Sequence, residues 1–323
     1  MHAFVTGAAG FIGRRVVEKL LRSGWKVRAL IHDRALPFED RGLECVRGDI
    51  QRETEWQDAL EDMDVLFHLA AALGGSSLHK REFQRTNVAG TGKVLQAAQK
   101  AGVKKTIHFS SAGVLGAVKP GEMADELYPL HPLSVYDRTK LEGEQIALHM
   151  AQKGLDLIVI RPGWVYGPGD TRTFKLIKAI AKNRFILVTR GTACQTPVHI
   201  EDLLDGAWLC LESGKSGEIY HLAGNEVLTV RQIVEDIASA TESSIPGINL
   251  PLFPVKVAAW KLETVYKLVG KEAPLTRGKL AFFIHPKPLS IDKAARELGY
   301  APKTDFKTGM AAAVRWYRDN GWL

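Results

Sequence analysis

The stretch Thr6-Gly7-Ala8-Ala9-Gly10-Phe11-Ile12-Gly13 follows a short apolar run and precedes an amphipathic one. The apolar run predicts a buried strand, and the spacing of apolar residues after it predicts a helix over residues 13–23. Gly7 permits a tight turn, Gly10 allows a close backbone approach, and Gly13 lets the helix pack on the strand. Such a helix directs free N–H groups at a phosphate. The stretch therefore predicts a phosphate-binding turn, and a glycine-rich turn without a ligand is the alternative.

The same alternation of strand and helix continues to residue 166. Strands are predicted at 27–31, 45–46, 65–69, 106–110 and 155–160, and helices at 54–60, 90–101 and 135–153. After Gly167 the pattern changes to helices at 174–181, 230–240, 254–269 and 292–298, with short strands at 198–200 and 219–221 that we expect to return to the sheet. This order predicts an α/β fold, a Rossmann-type doubly wound parallel sheet with a smaller, mainly helical C-terminal substrate lobe. We expect the dinucleotide-binding domain at 1–166, with 194–222 returning to it, and the lobe at 167–193 and 223–323.

Composition narrows the class of protein. Hydrophobic residues make up 46% and charged residues 24% of the 323, so a sizeable core is expected. The three cysteines are far apart, which favours reduced thiols in the cytoplasm, with no disulfide frame and no metal site. The net charge is +7, but basic residues are not interleaved with aromatics in a recognisable module, so nucleic acid is not an expected partner.

The excess of positive charge lies mainly between residues 251 and 287, which hold seven Lys or Arg against two Glu. Within it, Val257, Trp260, Val265 and Leu268 alternate with lysines on a predicted helix. We expect this helix to pack on the lobe and cover the active site, and we do not expect a membrane partner. Membrane association through a basic amphipathic face is the alternative.

Several stretches resemble one family in their order and spacing. These are the Gly-x-x-Gly-x-x-Gly turn, Gly48-Asp49-Ile50, Phe67-His68-Leu69-Ala70-Ala71, Thr86-Asn87-Val88-Ala89-Gly90-Thr91 and Arg161-Pro162-Gly163. Over essentially the whole chain they resemble the extended short-chain dehydrogenase/reductase family, which includes nucleotide-sugar epimerases and dehydratases, flavanol reductases and 3β-hydroxysteroid dehydrogenases. The resemblance implies a homodimer and an NAD or NADP cofactor held by Gly7, Ala9, Gly10, Phe11, Ile12, Gly13, His32, Asp33, Arg34, Asp49, Ile50, Leu69, Ala70, Ala71, Asn87, Tyr136, Lys140, Pro162 and Gly163.

The choice between NAD and NADP depends on the end of the second strand. An acidic residue there binds the ribose hydroxyls and repels a 2′-phosphate. The position that is acidic in NAD-using epimerases is Ile31, and His32 falls where flavanol-reductase relatives carry an NADP-binding arginine. Arg34 adds positive charge, whereas Asp33 could serve the ribose. We favour NADP and leave NAD open.

Tyr136 and Lys140 are the predicted chemical centre. Their spacing of four places both side chains on one face of a helix. A nearby ammonium favours the phenolate of a tyrosine, whose ordinary pKa is about 10, so that Tyr136 could exchange a proton with a substrate hydroxyl. The resemblance adds Ser111 as the hydroxyl that binds the substrate oxygen, with Ser110 as the alternative, and a hold of Lys140 on the nicotinamide ribose.

The residues directly after Ser111 narrow the reaction. Family dehydratases carry an acidic residue directly after the catalytic hydroxyl, and here Ala112 and Gly113 disfavour dehydration. Val198-His199-Ile200-Glu201-Asp202-Leu203 resembles a family stretch in which His199 and Asp202 brace the sheet and the start of a helix, with Asp202 as its cap. Candidate substrate residues are Ser111, Arg172, Arg190 and His199.

Three functions stay open at this point. The first is an oxidoreductase that transfers hydride at a secondary alcohol or ketone of a small-molecule, hydrophobic or alicyclic substrate. The absence of an arginine in Cys194-Gln195-Thr196-Pro197, where nucleotide-sugar enzymes hold a diphosphate, favours it. The second is a nucleotide-sugar epimerase with the same catalytic group, and the third is a non-catalytic NAD(P)-binding regulator.

Overall fold

The computed structural model describes residues 1–73, 80–245, 248–268, 273 and 275–323. Its strands are β1 (His2–Thr6), β2 (Lys26–Ile31), β3 (Leu43–Arg47), β4 (Val65–His68), β5 (Lys105–Phe109), β6 (Leu157–Pro162), β7 (Trp164–Tyr166), β8 (Leu187–Val188), β9 (Cys194–Gln195), β10 (Pro197–His199), β11 (Ile219–Leu222), β12 (Leu228–Thr229) and β13 (Asn249–Leu250). Seven of them form one parallel sheet in the order β11-β6-β5-β4-β1-β2-β3. This is the predicted Rossmann-type sheet.

The helices follow the strands in the alternation that the sequence predicts. They are α1 (Phe11–Arg22), α2 (Lys80–Phe83), α3 (Thr91–Lys100), α4 (Val135–Gln152), α5 (Thr171–Ala181), α6 (Ile200–Ser213), α7 (Val230–Thr241), α8 (Leu252–Leu268), α9 (Arg277–Ile284), α10 (Asp292–Leu298) and α11 (Phe306–Asp319). A π-helical segment, Gln84–Gly90, joins α2 to α3. The predicted helix at 54–60 is instead two 3₁₀ turns, Glu53–Glu55 and Gln57–Leu60, because Trp56 between them has an extended φ of −147°.

The sheet is buried on both faces, which explains its nearly continuous apolar strands. Along β1, Ala3 and Val5 face a cluster formed by α1, α6 and α10, and Phe4 faces a cluster formed by α3 and α4. The side chains alternate between the two clusters because successive residues of a strand point to opposite faces. This packing places the carboxyl ends of β1, β4, β5 and β6 at one edge of the sheet.

The chain after Gly167 forms a second core. Apolar residues of α5, α7 and α11 pack there with Tyr166 and Phe306. The sequence predicts that two short strands return to the sheet. Ile219–Leu222 does so, at the edge beside β6, whereas Pro197–His199 pairs with Trp164–Tyr166 outside the large sheet. The domain boundaries stay a prediction.

One expectation about the lobe is wrong in its detail. Val257, Trp260 and Val265, the apolar residues expected to pack, are 36%, 54% and 55% exposed. The residues of α8 that are buried are Val255 and Ala259, and the side chain of Leu268 lies outside the described residues. In the described part of the chain no helix has the length and apolar run needed to cross a bilayer.

Candidate active site

The glycine turn before α1 is closed by backbone on both sides. Gly7 has a φ of +68°, and a Cβ there would lie 2.7 Å from the Ala70 nitrogen. A Cβ at Gly13 would lie 2.2 Å from the Gly7 carbonyl oxygen. Gly10, the N-cap of α1, offers no side chain to the first turn, which also holds no acidic residue. The N–H groups of that turn are therefore left for an anion, as the phosphates of a dinucleotide require.

At the outer end of β2, His32, Asp33 and Arg34 are exposed side by side. His32 Nδ1 lies 3.0 Å from Asp33 Oδ2, and His32 Nε2 lies 4.0 Å from Asp49 Oδ2. Ile50 is buried beside them, where its side chain fills the space next to Gly90. Two carboxylates therefore surround His32, at the position where the sequence predicts adenosine contacts.

A hydrogen-bond network fixes the loop after β4. The Ala70 N–H donates to Thr6 Oγ1 at 3.2 Å, Thr6 Oγ1 lies 2.7 Å from His68 Nδ1, and His68 Nε2 lies 3.0 Å from Thr91 Oγ1. Thr6, His68 and Thr91 are almost fully buried, and none of them was predicted from the sequence as a site residue. The signal that was available is a polar side chain at the end of each apolar strand.

Asn87 ties this loop to the catalytic helix. Its Oδ1 accepts from the Ala72 N–H at 2.7 Å, and its Nδ2 donates to Thr139 Oγ1 at 3.0 Å. Leu69, Ala70 and Ala71 are half-buried along the loop that Asn87 holds. Asn87 thus holds the backbone of Ala72, and its predicted contact with the cofactor stays a prediction.

Ser111 and Tyr136 come together at the carboxyl edge of the sheet. Tyr136 lies in the first turn of α4, which begins with a capping box between Ser134 and Asp137. Ser111 Oγ accepts from the Gly113 N–H at 3.0 Å. Burial raises the pKa of Tyr136, and the positive charge of Arg172 and the nearby Ser111 hydroxyl partly lower it. Tyr136 is therefore a protonated phenol at neutral pH.

Lys140 is 4% exposed and lies beneath this pair. Its Nζ donates to the Phe109 carbonyl oxygen at 2.6 Å. Burial lowers the pKa of Lys140 to about 8, and the carboxylate of Glu144 opposes that shift. From the sequence, the Lys140 ammonium is expected to favour the Tyr136 phenolate. The positive charge of Arg172 also lowers the pKa of Tyr136, and the role of Lys140 stays a prediction.

Below Lys140 lies a buried ion pair that was not predicted from the sequence. Arg161 Nη2 and Nε donate to the two oxygens of Glu144 at 2.6 and 3.0 Å, and both side chains are at most 2% exposed. Ser110 Oγ donates to Glu144 Oε2 at 2.5 Å. Ser110 is thus committed to the ion pair, which leaves Ser111 as the hydroxyl beside Tyr136.

The turn after β6 connects the sheet to the lobe. A Cβ at Gly163 would lie 2.4 Å from the Thr196 carbonyl oxygen, so Pro162-Gly163 passes close to the lobe backbone. Trp164 follows directly, and its ring centroid lies 4.9 Å from that of Phe282 in α9. These aromatic rings therefore lie where the turn after β6 meets α9 of the lobe.

The three predicted substrate residues of the lobe have different positions. Arg172, at the start of α5, acts on Tyr136. Arg190 is exposed, has a φ of +57°, and its backbone contacts Asn249 and Arg231. His199 lies 5.5 Å from the Tyr166 ring, and its Nδ1 accepts from the Glu201 N–H as the N-cap of α6.

Asp202 does not cap α6, contrary to expectation. Its two oxygens accept from the backbone N–H groups of Lys303 and Thr304 at 2.9 and 3.1 Å. His199 takes the cap instead because it is the residue with extended backbone directly before the helix. Asp202 therefore fastens the C-terminal segment to α6.

A further cation lies close to the capping box of α4. The Lys287 N–H donates to the Cys194 carbonyl oxygen at 2.7 Å, which fixes the backbone of this segment. Burial lowers the pKa of Lys287, and the carboxylate of Asp137 opposes that shift. In the sequence Lys287 is only one member of a basic surface segment. Among the residues that the structure describes, no group of three or more His, Cys, Asp or Glu could hold a metal ion.

Comparison with known proteins agrees with this geometry. The model of the family described as "NAD dependent epimerase/dehydratase family" matches residues 3–223. A "4-hydroxy-2-methyl-3-oxo-4-farnesyl-3,4-dihydroquinoline-1-oxide ketoreductase" of Stigmatella aurantiaca is 31% identical, over 97% of this chain and 95% of its own. A "Putative dihydroflavonol 4-reductase" of Synechocystis is 29% identical, over 99% of this chain and 95% of its own.

A solved structure has the same fold throughout. The dTDP-glucose 4,6-dehydratase DesIV of Streptomyces venezuelae, with NAD and TYD bound, has a TM-score of 0.81 and 28% identity. The match covers 100% of this chain and 99% of the DesIV chain. The neighbour holds NAD, so the comparison gives no support for the expected preference for NADP.

Proposed function

The chain belongs to the NAD-dependent epimerase/dehydratase family and is an enzyme of the extended short-chain dehydrogenase/reductase kind, and from this premise we propose that it reduces a ketone to a secondary alcohol, or the reverse, with Tyr136 as its acid–base group. The observation that carries the proposal is that the segment after Ser111 packs against the first turn of α4, which holds Tyr136, at a site without an acid after Ser111. A phenol in this state can give its proton to a carbonyl oxygen as the carbon is reduced.

We propose NAD as the cofactor. Gly7 and Gly13 form a turn that any Cβ would fill, and the open first turn of α1 suits a pyrophosphate. The carboxylates of Asp33 and Asp49 beside His32 suit ribose hydroxyls and would repel a 2′-phosphate. The exposed Arg34 is the residue that would favour NADP instead. Comparing kcat/KM for NADH and NADPH tests the choice, and a preference for NADPH would contradict it.

The bound cofactor supplies or accepts the hydride, and the protein supplies the proton and the geometry. Ser111 Oγ binds the substrate oxygen next to the phenol, and Tyr136 donates its proton to that oxygen. Lys140, held by the Phe109 carbonyl, keeps a partly neutral amine beneath the site. In the structure Arg172 helps Tyr136 to release its proton.

Dehydration is disfavoured by the shape of the backbone as well as by residue type. A Cβ at Gly113 would lie 2.0 Å from Asp137 Oδ1, so position 113 has no room for an acidic side chain. Ala112, the other position after Ser111, is 7% exposed and has no proton to give. Asp137 is itself engaged with Ser134, whose backbone N–H and hydroxyl both donate to it. This arrangement favours a reaction that needs one acid–base group.

The substrate that we propose is an apolar ketone. The Trp164 and Phe282 rings lie just after the turn that follows β6, where they would cover an alicyclic or isoprenoid surface. The relative from Stigmatella is named as a ketoreductase of a farnesylated compound, which is in line with such a substrate.

A nucleotide-sugar epimerase is the second candidate, and the position of Arg172 favours it. Arg172, in the first turn of α5, carries a positive charge that lowers the pKa of Tyr136, and its guanidinium could pair with a diphosphate in two parallel hydrogen bonds. An epimerase regenerates its cofactor in each cycle, whereas a reductase consumes reduced cofactor in proportion to product. Cofactor turnover therefore separates the two candidates.

We also propose that the enzyme acts as a homodimer, with α3 and α4 at the interface. A surface groove of about 600 Å³ lies between these helices and is bordered by Val88, Gly92, Ile146 and Met150. Sedimentation at micromolar concentration would show a monomer if this assignment is wrong.

The central experiment follows oxidation of NADH with a panel of sterol-type and isoprenyl ketones, beside UDP- and dTDP-sugars. We expect turnover with a ketone of the first group and a loss of about 10²–10⁴-fold in kcat for Tyr136→Phe. Tyr128→Phe removes a hydroxyl that bonds Glu122 and Lys119 outside the site, and it should keep full activity. Full activity of Tyr136→Phe, or conversion of a sugar without net cofactor loss, would overturn the proposal.

A further inference from the structure

Helix α8 exposes an apolar stripe to solvent. Phe253, Val257 and Trp260 are 78%, 36% and 54% exposed, and Thr264 beside them is exposed as well. At 100° per residue these four positions fall within about 60° of one another around the helix axis. We name them the α8 outer face. Val255 and Ala259, on the opposite side, are buried against the lobe, so the helix is anchored with this face outward.

Positive charge flanks the stripe on both sides. Lys256 and Lys261 are exposed and lie at about −60° and +80° from Phe253 on the same helical projection. The one acidic residue in the α8 sequence, Glu263, is half-buried. The surrounding segment, residues 251–287, carries seven basic and two acidic residues. An aromatic stripe between lysines is the pattern of a helix that lies in the plane of an anionic membrane surface.

We propose that the α8 outer face docks this enzyme on a bilayer that contains anionic phospholipids. Phe253 and Trp260 enter the boundary between headgroups and acyl chains, and Lys256 and Lys261 contact lipid phosphates. The inference does not depend on the proposed reaction. The sequence left membrane association open as an alternative to packing on the lobe. The structure favours that alternative because Val257 and Trp260, which were expected to pack on the lobe, are exposed.

Charge decides between a bilayer and a second copy of this chain. Two copies meeting through this face would bring two strongly basic segments together, and like charges across an interface are unfavourable. A flat anionic surface instead matches the sign of the charge.

Docking would bring the site close to the source of an apolar substrate. In the lobe, α8 packs beside α9, and Phe282 of α9 touches Trp164, which follows the turn after β6. His285, directly after α9, has its pKa lowered by burial and by the charges of Lys287 and Lys256. Lys256 on α8 is therefore near the segment that carries Lys287 toward Asp137.

The test is flotation of the full-length enzyme with vesicles of phosphatidylcholine alone or of equal parts phosphatidylcholine and phosphatidylglycerol. We expect binding to the second kind only, weakening as salt rises. The double variant Lys256→Gln/Lys261→Gln should bind the anionic vesicles about 30-fold more weakly. This corresponds to a loss of about tenfold or less for each lysine. Lys182→Gln/Arg184→Gln removes two exposed charges from another part of the lobe and should bind as the wild type does.

The apolar part of the face has its own variant. Phe253→Ser/Trp260→Ser should lose at least about tenfold in vesicle binding, since each ring gives up its burial in the bilayer. Leu127→Ser, at a residue 92% exposed elsewhere, should have no effect. Thermal unfolding and dinucleotide binding should be unchanged in all variants, which shows that they fold. No flotation with anionic vesicles, equal flotation of all variants, or self-association that requires Trp260 would overturn the proposal.

Discussion

The glycine turn in the first part of the chain and the segments that meet in the second part, after Gly167, are held in place by different kinds of contact. In the glycine turn backbone packs on backbone: Gly13 lies against the Gly7 carbonyl, and Gly7 lies against the peptide between Leu69 and Ala70. In the second part side chains hold distant backbone. Asp202 binds the N–H groups of residues 303 and 304, and Gln195 Nε2 donates to the carbonyls of Phe282 and His285.

This difference teaches where each function is encoded. Backbone contacts depend on glycines at fixed spacing, so eight consecutive residues are enough to determine the cofactor turn. The lobe contacts join residues about 100 positions apart, and any of several polar side chains could make them. The first part therefore carries the general chemistry, and the second can change its substrate while the fold is kept.

The buried ion pair under Lys140 should give the largest effect on stability. Glu144→Gln leaves the Arg161 guanidinium with an uncompensated charge in the core, and we expect the free energy of unfolding to fall by about 3–5 kcal/mol. Glu142→Gln on the same helix is the control, because the half-buried Glu142 keeps an acceptor for Gln84. Denaturant unfolding measures both.

If Glu144→Gln does not fold, Glu144→Leu/Arg161→Met removes both charges and should recover most of the stability. A loss below about 1 kcal/mol for Glu144→Gln would mean that Arg161 finds other partners, such as the Glu126 carbonyl that it already contacts. The expectation that other contacts cannot replace this ion pair would then be wrong.

The glycine turn should give a comparable effect on cofactor binding. In Gly13→Ala the new Cβ meets the Gly7 carbonyl at 2.2 Å, and α1 must move away from β1 to relieve the overlap. We expect a loss of about 3 kcal/mol, or roughly 150-fold, in dinucleotide affinity by calorimetry. Gly278→Ala, at an exposed position where the new Cβ would meet only Thr276 Oγ1, at an ordinary contact distance of 3.8 Å, should bind as the wild type does.

Much of the fold before Gly167 could be predicted because its signals are local. The strand at 65–69 and the helix at 135–153 follow from their apolar patterns and agree with β4 and α4 within about one residue. The helix predicted at 54–60 failed for a tertiary reason. Trp56 is 1% exposed and its Nε1 donates to the Asp49 carbonyl, which favours a break between two short turns.

The sequence motifs of the site could be predicted, but the buried residues that pack around them could not. Ser111 and Tyr136 are predicted from motifs of the family, and the structure places the segment after Ser111 against the first turn of α4, which holds Tyr136. Their catalytic roles stay a prediction. Glu144 reads in the sequence as an ordinary helix carboxylate, and only the packing of α4 on β6 shows that it is buried against Arg161. Lys287 lies 150 residues beyond Asp137, so its approach to the site depends on the path of the lobe.

Lys140 is expected to affect both stability and chemistry, because its ammonium group is buried at the site. Its pKa is about 8 in the folded protein against 10.5 in the unfolded chain. Between those values the unfolded chain binds the proton more tightly, so wild-type stability rises with pH relative to Lys140→Met, by about 3 kcal/mol in total. Below pH 8 the cost of burying the charge is fully present, and Lys140→Met should be the more stable protein.

Unfolding without added cofactor at a series of pH values measures this difference. Lys153→Met, at the exposed end of the same helix, should show no such pH dependence. A difference between Lys140→Met and the wild type that stays constant from pH 7 to pH 10 would show that Lys140 is not destabilised by burial. The hydrogen bond to the Phe109 carbonyl would then be its main role.

The smallest effect is expected at Asp202, where the C-terminal segment is bound to α6. Asp202→Ala removes the acceptor for two backbone N–H groups, of which that of Lys303 is at an exposed residue and can turn to water. We therefore expect a loss of about 1–2 kcal/mol in thermal or denaturant unfolding. Asp205→Ala, one helical turn away at a half-exposed side chain paired with Lys19, should lose less than about 1 kcal/mol. Should Asp202→Ala instead destabilise the chain as much as Glu144→Gln does, the lobe would be as strictly determined as the sheet, because its side-chain fastenings would then be as hard to replace as the backbone contacts around Gly7.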